Sequence, residues 1–122
     1  MSATDQMKKI LVVEDEWLIA MDIERMLEEH GFGVVGPARN VAIALELIQS
    51  NEIDAAFLDI NLGAEESFPI AERLVGSGVP VTFISAHARD QIPARFSGAD
   101  LLSKPVTPQH LVQQANKMLE GR

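Results

Sequence analysis

Four short apolar runs, each ending in polar or charged residues, constrain the fold of this chain more than any other feature. In chain order the runs and the residues that follow them are Ile10–Val13 with Glu14-Asp15, Ala55–Leu58 with Asp59, Val81–Ile84 with Ser85, and Leu101-Leu102-Ser103 with Lys104-Pro105. Short continuous apolar runs between helical patterns are typical of parallel strands buried on both faces. The carboxyl ends of such strands line a crevice where ligands bind. We therefore expect the acids, the hydroxyl and the amine to meet in one site.

Helical patterns fill the segments between these runs and predict an α/β fold. The predicted strands are Lys9–Val13, Gly33–Gly36, Asp54–Leu58, the run ending at Ser85, and Asp100–Ser103. A helix is predicted over Trp17–His30, and Asn40 and Thr107-Pro108 are predicted to cap later helices. Pro93 interrupts the segment Ala88–Gly98, so the fourth helix is predicted to be short or irregular. Five βα units with right-handed crossovers predict a doubly wound, five-stranded parallel sheet.

Size and charge exclude several classes of protein. A length of 122 residues suits a single domain, and no apolar stretch is long enough for a signal peptide core or a membrane span. Ten Lys and Arg against 18 Asp and Glu give a net charge of −8, which disfavours nucleic-acid binding. The absence of cysteine excludes disulfides and thiolate metal ligands. We expect a cytoplasmic protein that binds neither nucleic acid nor membrane.

The acids after the first and third strands are candidate ligands for a hard cation. Carboxylate oxygens suit Mg²⁺, Mn²⁺ or Ca²⁺, and Mg²⁺ takes one or two carboxylates and keeps several waters. Asp15 and Asp59 as direct ligands, with Glu14 acting through water, fit that demand. The alternative for Glu14-Asp15 is a cap for the helix that begins near Trp17, because acids favour helix N-termini.

Asp59 is also a candidate nucleophile, since an aspartate can accept a phosphoryl group as an acyl phosphate. This chemistry requires positioning and neutralised charge. Lys104 can offer a positive charge to a phosphoryl oxygen, and Ser85 can offer a hydroxyl hydrogen bond. The alternatives are a surface lysine in a turn and an ordinary hydroxyl at the end of a strand.

These four segments, in this order, resemble the receiver domain of the two-component response regulators, over about Lys8 to Leu119. The acid pair of the family matches Glu14-Asp15, its phosphoacceptor matches Asp59, its Ser/Thr matches Ser85, and its Lys-Pro matches Lys104-Pro105. The resemblance implies a flavodoxin-like sheet of order 2-1-3-4-5, dependence on Mg²⁺, and phosphorylation by a histidine kinase or a histidine phosphotransferase. It also implies a metal contact from the backbone carbonyl of Asn61 and a cis peptide bond before Pro105.

The chain departs from the family at the position that often carries a switching Tyr or Phe. That position is Leu101, and the chain contains no tyrosine. A phosphorylation signal is therefore expected to travel through Ser85 and its adjacent loop, or through repacking around Phe83 or Phe96. The segment from Phe83 to His87 resembles a stand-alone receiver subgroup of alphaproteobacteria, in its phenylalanine and its hydroxyl.

The resulting expectation is one receiver domain over residues 1–122 with no output domain, acting as a signalling phosphoacceptor and not as an enzyme. Its downstream protein is unknown. The first alternative is an N-terminal receiver cut from a larger regulator. The second is a small Mg²⁺-dependent phosphatase, although Asn61 stands where such enzymes place a second acid. A flavin or nucleotide site is disfavoured because Glu14-Asp15-Glu16 would repel a phosphate. A degenerate receiver that only binds partners is disfavoured by the presence of Asp59 and Lys104.

Overall fold

Parallel strands and flanking helices alternate along the chain, as the apolar runs predict. A computed structural model describes residues 7–86 and 92–120. The strands are β1 (Lys9–Val13), β2 (Gly33–Ala38), β3 (Ala55–Asp59), β4 (Asn61–Leu62), β5 (Glu65–Glu66), β6 (Val81–Ser85) and β7 (Asp100–Ser103). The helices are α1 (Trp17–Glu29), α2 (Val41–Ser50), α3 (Phe68–Gly76) and α4 (Pro108–Leu119), with a 3₁₀ turn at Ala94–Phe96.

The five long strands form one parallel sheet in the order β2-β1-β3-β6-β7. Counting only these five strands, the order is 2-1-3-4-5, which confirms the predicted doubly wound fold. The register places Val13 beside Leu58, Asp59 beside Ile84 and Ser85 beside Ser103. The carboxyl ends of β1, β3, β6 and β7 therefore lie at one edge of the sheet.

Alternate residues of the buried strands face two separate layers of helices. Leu11 and Val13 pack with residues of α2 and α3, whereas Ile10 and Val12 pack with residues of α1 and α4. Burying one such side chain contributes about 1.5–3 kcal/mol. Because the central strands are apolar on both faces, a polar group finds room only at their ends.

Two predicted caps are confirmed. Asn40 Oδ1 accepts a hydrogen bond from the Ile43 amide at 2.9 Å, at the start of α2. Thr107 Oγ1 accepts one from the His110 amide at 3.2 Å, with Pro108 as the first residue of α4. Each cap satisfies a backbone donor that has no partner within its helix.

The predicted end of the second strand at Gly36 is wrong, because β2 continues through Pro37 to Ala38. The strand lies at the edge of the sheet, where a proline without an amide hydrogen is tolerated. Its pairing with β1 is irregular at this point. Gly36 has φ +94°, and a Cβ there would lie 2.7 Å from the Ala38 nitrogen, so only glycine fits.

The loop after Asp59 contains a small antiparallel hairpin that sequence patterns did not predict. Its strands β4 and β5 pair Asn61 with Glu66 and Leu62 with Glu65. Two-residue strands are too short to show a periodicity. Gly63, which has φ +75°, makes the turn possible.

The segment between β6 and β7 agrees with the predicted irregular fourth helix as far as it is described. Within residues 92–99 the regular structure is the 3₁₀ turn that follows Pro93. The rest of the predicted segment, with His87, falls in residues 87–91, outside the described part of the chain. Across residues 7–86 and 92–120, no helix has the length and apolar character needed to cross a membrane.

Candidate functional site

The ends of β1 and β3 bring three carboxylates together. Glu14 follows β1 and is buried, Asp59 is the last residue of β3 and is buried, and Asp15 is exposed beside them. One carboxylate oxygen from each residue lies within 4.8 Å of the others. The three predicted acids therefore form a single cluster at the carboxyl edge of the sheet.

Lys104 extends from the end of β7 into this cluster. Its Nζ lies 2.9 Å from Asp59 Oδ2 and 3.1 Å from Glu14 Oε2. Glu16 Oε1 lies farther away, at 3.9 Å, and its side chain is exposed. The Lys104 amide donates to the Ser85 carbonyl at 2.9 Å, which ties the lysine to the end of β6. One ammonium group thus faces several carboxylates.

Burial and the neighbouring charges shift the pKa values of Glu14 and Lys104. The pKa of Glu14 is raised from 4.5 to about 7, first by burial and then by Asp59, while the hydrogen bond from the Glu16 amide and the contact with Lys104 partly oppose the rise. Burial lowers the pKa of Lys104, but the contacts with Asp59 and then Glu14 outweigh burial, so its pKa is raised. At neutral pH the lysine is a cation, while Glu14 is close to its midpoint.

The donor set fits a divalent cation. The buried Glu14 Oε2 accepts no hydrogen bond from any described residue, although the Lys104 ammonium is near. Oxygen ligands and uncompensated negative charge favour Mg²⁺ over soft metals. Asp15 and Asp59 each bring a carboxylate oxygen to this cluster, and Asn61 stands two residues after Asp59, where its amide lies 3.4 Å from Asp59 Oδ1.

The capping alternative for the acid pair is partly correct. Glu14 Oε1 accepts a hydrogen bond from the Glu16 amide at 3.1 Å, immediately before α1. Glu16, the N-cap of α1, makes no side-chain capping bond. Glu14 therefore supports the start of the helix with one oxygen and faces Lys104 with the other.

Ser85 and Leu101 lie where the sequence predicts. Ser85 is buried at the end of β6, two residues after Phe83. Leu101 is half-buried on β7, directly beside Phe83. Phe83 in turn contacts Phe68 and Phe96, with ring centroids 5.8–5.9 Å apart within the three. The three rings thus form an aromatic cluster on one face of the sheet. Leu101 lies next to this cluster, and Ser85 follows Phe83 by two residues on the same strand.

Two further features complete the site. The Lys104–Pro105 peptide bond is cis, the isomer that the family resemblance implies. Gly63, in the turn of the β4–β5 hairpin, borders the cluster, since a Cβ there would lie 3.7 Å from Asp15 Oδ2. The sequence did not predict the hairpin, the place of Gly63 beside Asp15, or the proximity of Glu16 to Lys104. The third acid of Glu14-Asp15-Glu16 was the available signal for Glu16.

Known proteins resemble this chain in both sequence and fold. The family model described as response regulator receiver domain matches residues 10–116. The sensory transduction protein LytR of Staphylococcus haemolyticus is 32% identical over 114 residues, which cover 90% of this chain and 44% of LytR. The chain spans about half or less of the length of the first curated relatives.

Solved structures agree with this relationship. The solution structure of SdrG from Sphingomonas melonis Fr1 is 41% identical, covers 98% of both chains and has a TM-score of 0.79. The BeF3-activated conformation of SdrG, from Pseudomonas melonis Fr1, is 39% identical, covers 91% of this chain and 95% of that one, and has a TM-score of 0.77. The chain belongs to the response regulator receiver domain family of two-component signalling.

Proposed function

We propose that Asp59 accepts a phosphoryl group from the phosphohistidine of a histidine kinase or a histidine phosphotransferase. An Asp59 oxygen forms a bond to phosphorus as the phosphorus–nitrogen bond of the donor breaks. The imidazole nitrogen keeps the electron pair and takes up a proton. The product is an acyl phosphate on Asp59. The observation that carries this proposal is the convergence of three carboxylates and one lysine at a single sheet edge, with Lys104 Nζ 2.9 Å from Asp59 Oδ2.

The other residues of the site have complementary roles in this proposal. Lys104 balances negative charge on the phosphoryl oxygens, and the Ser85 hydroxyl donates a hydrogen bond to one of them. Asp15, Asp59 and the Asn61 carbonyl would hold Mg²⁺ directly, and Glu14 would hold it through water. When bound, Mg²⁺ neutralises the charge that develops during phosphoryl transfer. The similar protein SdrG has a BeF3-activated conformation, which supports the proposal that this chain also has an activated state.

The proposed output is a change of surface for a downstream protein that is not identified. With Leu101 at the aromatic position, Ser85 carries the signal to Phe83 and its neighbours Phe68 and Phe96. The protein acts here as a phosphoacceptor, and family membership favours this function over a phosphatase. The cytoplasmic location and the single-domain organisation over residues 1–122 stay predictions.

Intact-protein mass spectrometry after incubation with acetyl phosphate tests the proposal. We expect one phosphoryl adduct that forms with Mg²⁺ and not without it. The adduct should be absent from Asp59→Asn. The matched control is Asp22→Asn, which removes the same charge from an exposed pair on α1 and should still form the adduct. Equal labelling of Asp59→Asn and wild type would refute Asp59 as the acceptor.

A further inference from the structure

The β4–β5 hairpin lies beside the acid cluster. It begins two residues after Asp59, where the Asn61 amide lies 3.4 Å from Asp59 Oδ1. Its turn at Gly63 lies against Asp15, because a Cβ there would come within 3.7 Å of Asp15 Oδ2. A displacement of this hairpin would therefore change the surroundings of two of the clustered acids.

The hairpin also contacts α2, through the first residue of β5. Glu65 Oε1 accepts a hydrogen bond at 2.9 Å from the amide of Val41, the first residue of that helix. The first amides of a helix have no partner within it, and a carboxylate there also interacts favourably with the helix dipole. Asn40 satisfies the Ile43 amide, so Glu65 supplies a second capping oxygen from 24 residues away in sequence.

The remaining anchors of the hairpin lie at its base. Leu62 is buried, and the Ser67 amide donates to the Ile60 carbonyl at 2.9 Å. The tip, residues 63–66, is exposed throughout. The contact between Glu65 and Val41 thus joins the exposed part of the hairpin to α2. Residues of α2 pack in the core.

We propose that Glu65 is a positioning residue of the site. By holding the hairpin on the first turn of α2, it keeps Asn61 and Gly63 beside the acids, and it transmits the loading of the site to α2. This inference rests on the proposed function, because it takes the Asn61 carbonyl as a Mg²⁺ contact. Coupling is reciprocal, so Mg²⁺ binding strengthens the Glu65–Val41 contact by the factor that this contact adds to Mg²⁺ affinity.

The test compares Glu65→Ala, Glu65→Gln and Glu66→Ala. Glu66 is an exposed acid on the same strand, so its substitution controls for the loss of charge. Mg²⁺ affinity is measured by the fluorescence of Trp17, the only tryptophan, which is exposed two residues after Asp15. The Val41 amide is followed by NMR in the metal-free protein and during the Mg²⁺ titration.

We expect Glu65→Ala to shift the Val41 amide in the metal-free protein and to weaken Mg²⁺ binding by up to about fivefold, the loss that results if the full energy of a typical capping bond is coupled to Mg²⁺ binding. Glu65→Gln keeps an acceptor oxygen and should recover most of the affinity, whereas Glu66→Ala should bind as wild type does. If Glu65→Ala and Glu66→Ala have equal affinities, the positioning role is refuted while the proposed function stands. A wild type that binds no Mg²⁺ refutes both.

Discussion

The amino ends and the carboxyl ends of the parallel strands, called here the amino edge and the carboxyl edge of the sheet, differ in how their polar groups are paired. At the amino edge, Gln114 Nε2 donates to Thr82 Oγ1 at 2.9 Å and to Asp100 Oδ2 at 2.8 Å. Lys117 pairs with Asp100 at 3.2 Å, and the Thr82 hydroxyl donates to Met118 Sδ at 3.2 Å. Each polar group in this network has a partner. At the carboxyl edge, by contrast, carboxylates outnumber the cation.

The polar groups at the amino edge stabilise the fold by pairing with one another. The acids at the carboxyl edge carry an excess of negative charge that a ligand could compensate. A satisfied network contributes to stability, whereas buried groups of like charge cost stability until a ligand compensates them. Substitutions at the two edges should therefore have opposite effects on the free energy of unfolding.

The largest expected effect is a loss of stability of the metal-free protein as the pH rises from 4.5 to about 7. The pKa of Glu14 is raised to about 7, chiefly by burial and then by Asp59, so in this window the folded state holds a proton that the unfolded chain has released. The free energy of unfolding falls by about 3 kcal/mol, because each unit of pKa difference corresponds to about 1.4 kcal/mol, and the loss is complete above pH 7. Urea unfolding at a series of pH values measures it.

The control for this effect is Glu14→Gln, which cannot ionise. The difference in stability between wild type and the variant should change across this window and stay constant above it. A difference that does not vary with pH would show that Glu14 ionises as freely in the folded protein as in the unfolded chain.

An intermediate effect is expected from a substitution at the amino edge. Gln114→Ala removes two hydrogen bonds and should lower the free energy of unfolding by about 1–2 kcal/mol. Because Gln114 lies at the amino edge, away from the acid cluster at the carboxyl edge, Mg²⁺ should not change this loss. Thermal unfolding with and without Mg²⁺ checks both statements, and a loss that Mg²⁺ reverses would contradict the separation of the two edges.

The smallest effect is expected for an exposed ion pair. Arg25 and Asp22 lie 3.1 Å apart on α1, with both side chains largely exposed. Arg25→Ala should change stability by about 0.5 kcal/mol or less. A loss as large as that from Gln114→Ala would mean that charge, rather than burial, governs the contrast between the edges.

The apolar runs were sufficient to predict the parallel sheet and the edge where its polar residues meet. A run such as Ala55–Leu58 can be buried only between two layers of helices, so Asp59 has to lie at the strand end. The acids and Lys104 could be placed for this reason. Strand order came from the family resemblance, since apolar runs do not identify their neighbours.

Features that depend on tertiary contacts could not be predicted. The bond between Glu65 and Val41 joins two segments that only the fold brings together. The continuation of β2 through Pro37 depends on its place at the sheet edge. The elevated pKa of Glu14 depends on burial, which the sequence Glu14-Asp15-Glu16 does not reveal.

The most direct test of the excess charge at the carboxyl edge is the free energy of unfolding at pH 8 as a function of Mg²⁺ concentration. In wild type it should rise with the logarithm of Mg²⁺ concentration above the dissociation constant, as expected for a ligand that binds only the folded state. Asp59→Asn should lose most of this gain, whereas Asp22→Asn should keep it. A wild type whose stability does not depend on Mg²⁺, or equal gains in both variants, would contradict a metal site built on Asp59.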